Sequence, residues 1–119
     1  MLEARARAKY IRTSAQKAKL VLDQIRGKGA SEALAILKFS KKGIARDVEK
    51  ALRSAIANAV QSADRDEKRR LDEEDLYVSR CFADQGPTAK RVRPAPMGRA
   101  YQVLKRSAHL TVCVTEREK

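Results

Sequence analysis

The clearest pattern in the chain is a run of apolar positions at helical spacing. Ile44, Val48, Ala51, Leu52, Ala55, Ile56, Ala59 and Val60 draw one continuous apolar face along a helix. The small alanines in that face suit close packing against a sheet or another helix. Two shorter helices are predicted ahead of it. Thr13 or Ser14 offers an N-cap, and Thr13 with Gln16 has capping-box spacing. Ala18, Val21, Leu22 and Ile25 follow at helical spacing until Gly27 and Gly29 stop the helix, with Lys17, Lys19 and Arg26 on its opposite face. Ser31 can cap the second helix, whose stripe is Ala33, Leu34 and Leu37 and whose end is Lys41-Lys42-Gly43.

Elsewhere the apolar period drops to two. From Leu2 to Ile11, the residues Leu2, Ala4, Ala6, Ala8 and Tyr10 alternate with Glu3, Arg5, Arg7, Lys9 and Ile11, which predicts a strand with one basic face. Leu76, Val78 and Phe82 alternate with Tyr77, Ser79 and Cys81 in a second strand. Leu104, Ala108, Leu110, Val112 and Val114 alternate with Lys105, His109, Thr111 and Cys113 in a third. Gly86-Pro87 and Pro94-Ala95-Pro96-Met97-Gly98 interrupt pairing between the last two. Asp64 to Asp75 holds seven acids among four bases without periodicity and is expected to be an exposed loop facing away from any polyanion.

Charge narrows the function. The 119 residues include 27 Lys and Arg against 15 Asp and Glu, a formal charge of +12. An excess this large points to a polyanionic partner, because neutralising phosphates releases condensed counterions. An anionic membrane surface is the rival. No apolar run approaches the roughly 18–20 residues of a membrane-spanning helix, and the first ten residues lack the apolar core and cleavage site of a signal peptide. Cys81 and Cys113 have no CxxC spacing and are expected to be reduced and partly buried. His109, the only histidine, has no ligand or triad partners arranged by motif, so a packing or hydrogen-bonding role is expected. The glycines at 27, 29, 43, 86 and 98 form no nucleotide fingerprint, and the acidic run lacks the glycine and spacing of a calcium loop. No metal, cofactor or enzymatic activity is expected.

The distribution of charge is more informative than its sum. From Gln85 to Thr115 there is no acid at all, while Lys90, Arg91, Arg93, Arg99, Lys105 and Arg106 fall within the span. Paired flanking strands would make this stretch the distal half of a hairpin. Leu76 to Lys90 covers about 14 residues, roughly 45 Å at strand rise, against a radius of gyration near 13 Å for a globule of this size. Such an arm has little apolar surface to bury and should order by wrapping RNA. Tyr101 is its only aromatic residue, so phosphate and shape recognition is expected rather than a base-stacking platform. Three other readings stand beside this one. The stretch could be a disordered loop. The chain could be a DNA-binding helical module using Ser14 to Arg26 and Ser31 to Lys38. It could also be an adaptor for an anionic surface, although it lacks an aromatic-rich amphipathic face.

One set of motifs is more specific. Gly86-Pro87-Thr88-Ala89-Lys90-Arg91 is followed by Pro94, Gly98-Arg99-Ala100, Lys105-Arg106 and His109-Leu110-Thr111-Val112. Upstream lie Ser14-Ala15-Gln16-Lys17, Leu20-Val21, Ile25-Arg26-Gly27-Lys28 and Ser54-Ala55-Ile56-Ala57-Asn58-Ala59. In order and spacing the chain resembles the bacterial ribosomal protein L twenty-two family over nearly its whole length. The resemblance implies binding to large-subunit rRNA, help in early assembly, a body near the outer opening of the peptide exit tunnel, and a hairpin whose tip lines the tunnel wall. It places Ala89, Lys90, Arg91 and Val92 at or near that tip, close to the nascent peptide and to bound macrolides. Where the family commonly has Arg, Ala and often Lys after the proline, this chain has Ala95, Pro96 and Met97, with Arg93 partly replacing the charge.

Pattern and resemblance together predict an α+β fold, three helices on a small three-stranded antiparallel sheet with a long β-hairpin arm. One domain is expected over residues 1–119, with the arm at about 84–104. Candidate RNA-binding residues are Arg5, Arg7, Lys9, Arg12, Ser14, Gln16, Lys17, Lys19, Arg26 and Lys28, then Lys90, Arg91, Arg93, Arg99, Lys105 and Arg106 in the arm. The expected partners are large-subunit rRNA, neighbouring ribosomal proteins and the nascent peptide in a cytoplasmic ribosome, with no membrane and no homo-oligomer. One substitution tests the apolar face: Ile56→Asp should abolish cooperative thermal unfolding by circular dichroism, because a small core offers a buried carboxylate no partner.

Overall fold

The computed structural model describes residues 3–66, 72–94 and 96–116. In chain order the elements are β1 (Glu3–Ile11), α1 (Ala15–Ile25), α2 (Ala30–Lys38), α3 (Ala45–Asp66), β2 (Leu76–Gln85), β3 (Ala89–Pro94), β4 (Ala100–Lys105) and β5 (Ala108–Glu116). A short 3-10 turn precedes β2, and Pro96–Gly98 lie in the turn between β3 and β4. The body sheet is antiparallel in the order β1-β5-β2, and β3 and β4 form a separate two-stranded ribbon. This is the expected α+β architecture. The predicted third strand divides in two, however: Arg106 and Ser107 separate β4 from β5, and Leu104 belongs to the ribbon, 44% exposed, instead of the core.

The core lies between the sheet and the helices. Val48, Ala51, Leu52, Ala55, Ala59 and Ala63 of α3 are buried, and α3 packs on β1 and β5. The alanines of this face meet Ala4 and Ala6 of β1, both buried, so small residues on both sides let helix and strand approach closely. Asn58 fastens the pair by donating from Nδ2 to the carbonyl oxygen of Arg5 at 3.0 Å. Val21, Leu22 and Ile25 of α1 bury beside β2, and Ala33 and Leu37 of α2 close the cluster. Ser14 caps α1, its hydroxyl accepting from the Lys17 amide at 3.3 Å. Gly27 ends that helix at φ 79, a left-handed conformation that glycine adopts without a Cβ penalty. The N-cap of α2 is Gly29 and not Ser31, which lies inside the helix and donates to Glu73 at 3.4 Å. Gly27 to Gly29 also lie along the outer edge of β2, where Gly27 and Lys28 exchange hydrogen bonds with Val78.

The acidic run is partly structured. Helix α3 continues through Asp66, because its apolar stripe extends to buried Ala63. Residues 67–71 and Leu2 fall outside the described residues. Asp72 to Asp75 form a turn closed by a capping box, with the Asp72 amide donating to Asp75 Oδ2 at 3.3 Å.

Two irregularities break the alternation read from the sequence. In β2 the register slips between Val78 and Arg80. Cys81 therefore joins Leu76 and Val78 in the core while Phe82 turns outward, 41% exposed, the reverse of the simple period-two expectation. In β1 the register slips between Ala8 and Ile11, where Tyr10 has φ 60. Ile11 turns in against the core, and Tyr10 is left 66% exposed. A bulky non-glycine residue in that conformation costs on the order of 1–3 kcal/mol.

The molecule measures 67 × 27 × 16 Å with a radius of gyration of 17.7 Å, well above the ~13 Å of a compact chain this long. The ribbon accounts for the difference. Its root is tied to the body by the Gly86 amide donating to the Ser107 carbonyl at 2.9 Å and the Ser107 hydroxyl donating to the Pro87 carbonyl at 2.7 Å. Gly86 permits this closeness, since a Cβ there would stand 2.7 Å from Ser107 Oγ and 3.2 Å from the His109 ring. Gly86→Ala should therefore displace the Ser107 hydroxyl and lower unfolding stability by about 1–3 kcal/mol, measured by urea denaturation. Unchanged stability would mean the junction opens without cost.

Candidate nucleic-acid interface

Alternation along β1 puts Arg5 and Arg7 on the sheet face opposite the helices. The register sets Arg5 beside Cys113 with Arg80 on that residue's other side, and Arg7 beside Thr111 with Phe82 beyond it. Arg5, Arg7, Lys9 and Arg80 are exposed, while Thr111, Cys113 and Thr115 are buried between the flanking strands. The Arg80 guanidinium donates to Glu3 at 2.7 Å, and that hydrogen bond raises its pKa. Sequence reasoning missed Arg80. The β2 bulge gives it this position, and no local residue signature announces the bulge.

At the arm's root a groove of about 600 Å³ runs between the start of α1 and the end of β4. Ser14, Gln16, Lys17, Arg106 and Ser107 are among its lining residues. The first turn of α1 carries no acid, so the partial positive charge of the helix N-terminus adds to Lys17 and Arg106. Lys17 and Arg106, 89 positions apart in the chain, thus converge on one recess. A second groove of about 690 Å³ opens where Tyr10 and Arg12 meet Pro87, Ala89, Arg91 and Lys105.

The ribbon is exposed along most of its described length, with Ala89 and Val103 half-buried. Lys90, Arg91, Arg93, Arg99 and Lys105 all face solvent. Its register pairs Ala89 with Lys105, Lys90 with Leu104, Arg91 with Val103 and Val92 with Gln102, ending at Pro94 with Ala100. Ala89 to Val92 therefore run outward from the arm's root and precede the turn. This corrects their expected position at the tip. Chain reversal takes place around Pro96–Gly98, where Met97 and Gly98 have φ 67 and φ 73. Those successive left-handed residues make the turn, and Met97 is 95% exposed at its apex.

The remaining candidates divide. Gln16, Lys17 and Lys19 are exposed on α1, and Arg12 is exposed just after β1. Arg26 is committed within the molecule. It pairs with Asp23 and donates to the Cys81 carbonyl at 2.8 Å, the Asp23 hydrogen bond being the main cause of its raised pKa. Lys28 stands 4.0 Å from Glu32. His109 accepts the Tyr10 amide at Nδ1, 3.1 Å away, and meets the tyrosine ring edge to face. The cysteines are free and face opposite sides of the sheet. Cys81 donates to the Leu22 carbonyl at 3.2 Å, and burial raises the pKa of its thiol.

The family model described as ribosomal protein L22p/L17e matches residues 6–115. The chain belongs to this family. It is 50% identical to the large ribosomal subunit protein uL22 of Solibacter usitatus over 117 residues, covering 98% of this chain and 99% of that one. The protein of the same name from Clostridium novyi is 48% identical over 116 residues, with 98% and 99% covered. The one from Clostridium acetobutylicum is 49% identical over 117 residues, with 98% and 100% covered. The chain is thus a non-enzymatic structural constituent of the large subunit of the cytoplasmic ribosome, associated with its rRNA and proteins. Neither a DNA-binding helical module nor an anionic-surface adaptor fits that membership. Among the described residues, no helix is long and apolar enough to cross a membrane.

Proposed function

We propose that the body docks on large-subunit rRNA through the outer sheet face and the arm's root, and that the arm threads inward until its turn lines the peptide exit tunnel. The observation that carries this reading is the arm itself. It is a paired ribbon with exposed side chains, no acid between Gln85 and Thr115, and no core of its own. A ribbon of this kind gains stability by surrounding itself with a polyanion. Arg5, Arg7, Lys9, Arg12, Gln16, Lys17 and Lys19 serve the body's contact, with Ser14 holding the helix end that faces the groove. Lys90, Arg91, Arg93, Arg99, Lys105 and Arg106 serve the arm's contact. Arg26 and Lys28 contribute less directly, because each already has an acidic neighbour within the fold. By touching distant rRNA segments at once, body and arm would hold them together during assembly. The protein acts as one copy, without a cofactor.

The tip's role follows its corrected place. Met97 and its turn meet the nascent peptide, and Ala89 to Val92 lie further back against rRNA. An exposed methionine suits such a wall, being apolar and uncharged toward a passing chain.

Two measurements check the reading. The affinity for a large-subunit rRNA fragment should fall steeply as salt rises, and reversing Arg5, Arg7, Lys90, Arg91 and Arg99 to Glu should flatten the slope by several phosphate contacts. An unchanged slope would mean these residues do not face RNA. A photoreactive residue in place of Met97 should cross-link to nascent peptide in translating ribosomes, with much less capture from position 90. Equal or absent capture would place the tunnel contact elsewhere.

A further inference from the structure

We infer that the groove beside Tyr10 is a pocket for a single unstacked RNA base, with the tyrosine ring as its stacking surface. The inference rests on the RNA-binding reading above and deepens it, because phosphate contact alone has no use for an exposed aromatic ring.

The bulge in β1 is the first observation. Uninterrupted alternation would place Tyr10 on the same face as buried Ala4 and Ala6, while the register slip and φ 60 turn the ring out to 66% exposure. Ile11 then supplies the apolar contact that the core needs. The conformation is one that a glycine would adopt without strain, yet an aromatic residue occupies it. Strain at an exposed aromatic position is a mark of function when the surroundings hold it in place.

The surroundings do hold it. The Tyr10 amide donates to His109 Nδ1 at 3.1 Å, and the two rings meet edge to face with centroids 4.8 Å apart and planes at 88°. The imidazole is seated in turn against Gly86, where a Cβ would come within 3.2 Å of it. The ring is thus positioned before any ligand arrives, which reduces the ordering cost of binding.

The groove supplies the rest. Its volume of about 690 Å³ falls in the range that receives a small organic group (roughly 300–1,000 Å³). Arg12, Arg91, Lys105 and Arg106 line it, without an acid among the lining residues. Pro87 and Ala89 give it an apolar wall. An aromatic face for the base and guanidinium groups for the flanking phosphates, or for stacking on the base's other side, is the chemistry by which single-stranded RNA is held. The expectation of backbone recognition without base stacking arose from Tyr101 alone. Tyr10 reaches the arm's root from the opposite end of the chain.

The test compares the full chain with Tyr10→Phe, Tyr10→Leu and Tyr10→Gly for binding to a large-subunit rRNA fragment across a salt series, with thermal unfolding of each. Tyr10→Phe should bind like the parent. Tyr10→Leu should bind about tenfold more weakly, with an unchanged salt slope, since no phosphate contact is lost. Tyr10→Gly should lose as much affinity while remaining folded, because relief of the backbone strain offsets the missing ring contact. If the parent binds with a steep salt slope and Tyr10→Leu binds equally well, the pocket is refuted and the RNA-binding reading stands. If the parent shows no salt-dependent binding, that reading fails and the pocket with it. If affinity falls only in variants that unfold, Tyr10 is a structural residue and the pocket is likewise refuted.

Discussion

Strand β5 is paired on both edges, and the rest of the molecule hangs on that pairing. It takes β1 along one side and β2 along the other, joining the first strand of the chain to the last. Ala108, Leu110, Val112 and Val114 point into the core from it and are fully buried. Helices α3 and α1 both rest on this strand. An interior strand with every inward side chain buried tolerates little change in register, because a slip of one residue would send that whole apolar set to the opposite face. The ribbon leaves the body at the same place, so the direction of the arm is set where β5 begins.

Close packing by small residues is the second element of the design. Alanines on α3 and β1 bring helix and sheet together, at the expense of apolar area per residue. The loss is made up by length, since α3 presents buried positions from Ala45 to Ala63. The opposite sheet face is thereby left to arginines, which a thicker two-sided core would have displaced. The arm represents the other extreme. It has pairing but no core, and its exposed side chains carry much of the positive charge of a chain whose formal charge is +12.

Two register slips decide which side chains face outward. One turns Phe82 outward and places Arg80 across Cys113 from Arg5, and the other turns out Tyr10 at the root of the arm. Each exchanges the faces of the residues that follow it without altering composition or average period. Surface chemistry here depends on one extra residue in a strand, a scale at which an alternating pattern has no resolving power.

The sequence by itself determined the helices, the strands and the acid-free arm, because periodic burial and charge are local properties repeated over many residues. The face of α3 from Val48 to Ala59 was legible for that reason, whereas the cap of α1 was narrowed only to Thr13 or Ser14, and the structure assigns it to Ser14. So was the family, which rests on motifs contiguous in the chain. Tertiary structure decided where period-two alternation fails, that Leu104 belongs to the ribbon, that Arg26 is held by Asp23 and the Cys81 carbonyl, and that the turn lies at Pro96–Gly98 instead of Ala89–Val92. It also brought Tyr10 to His109, 99 residues away. These outcomes depend on which residues face one another across strands, and register is a relation between distant segments that no local pattern contains.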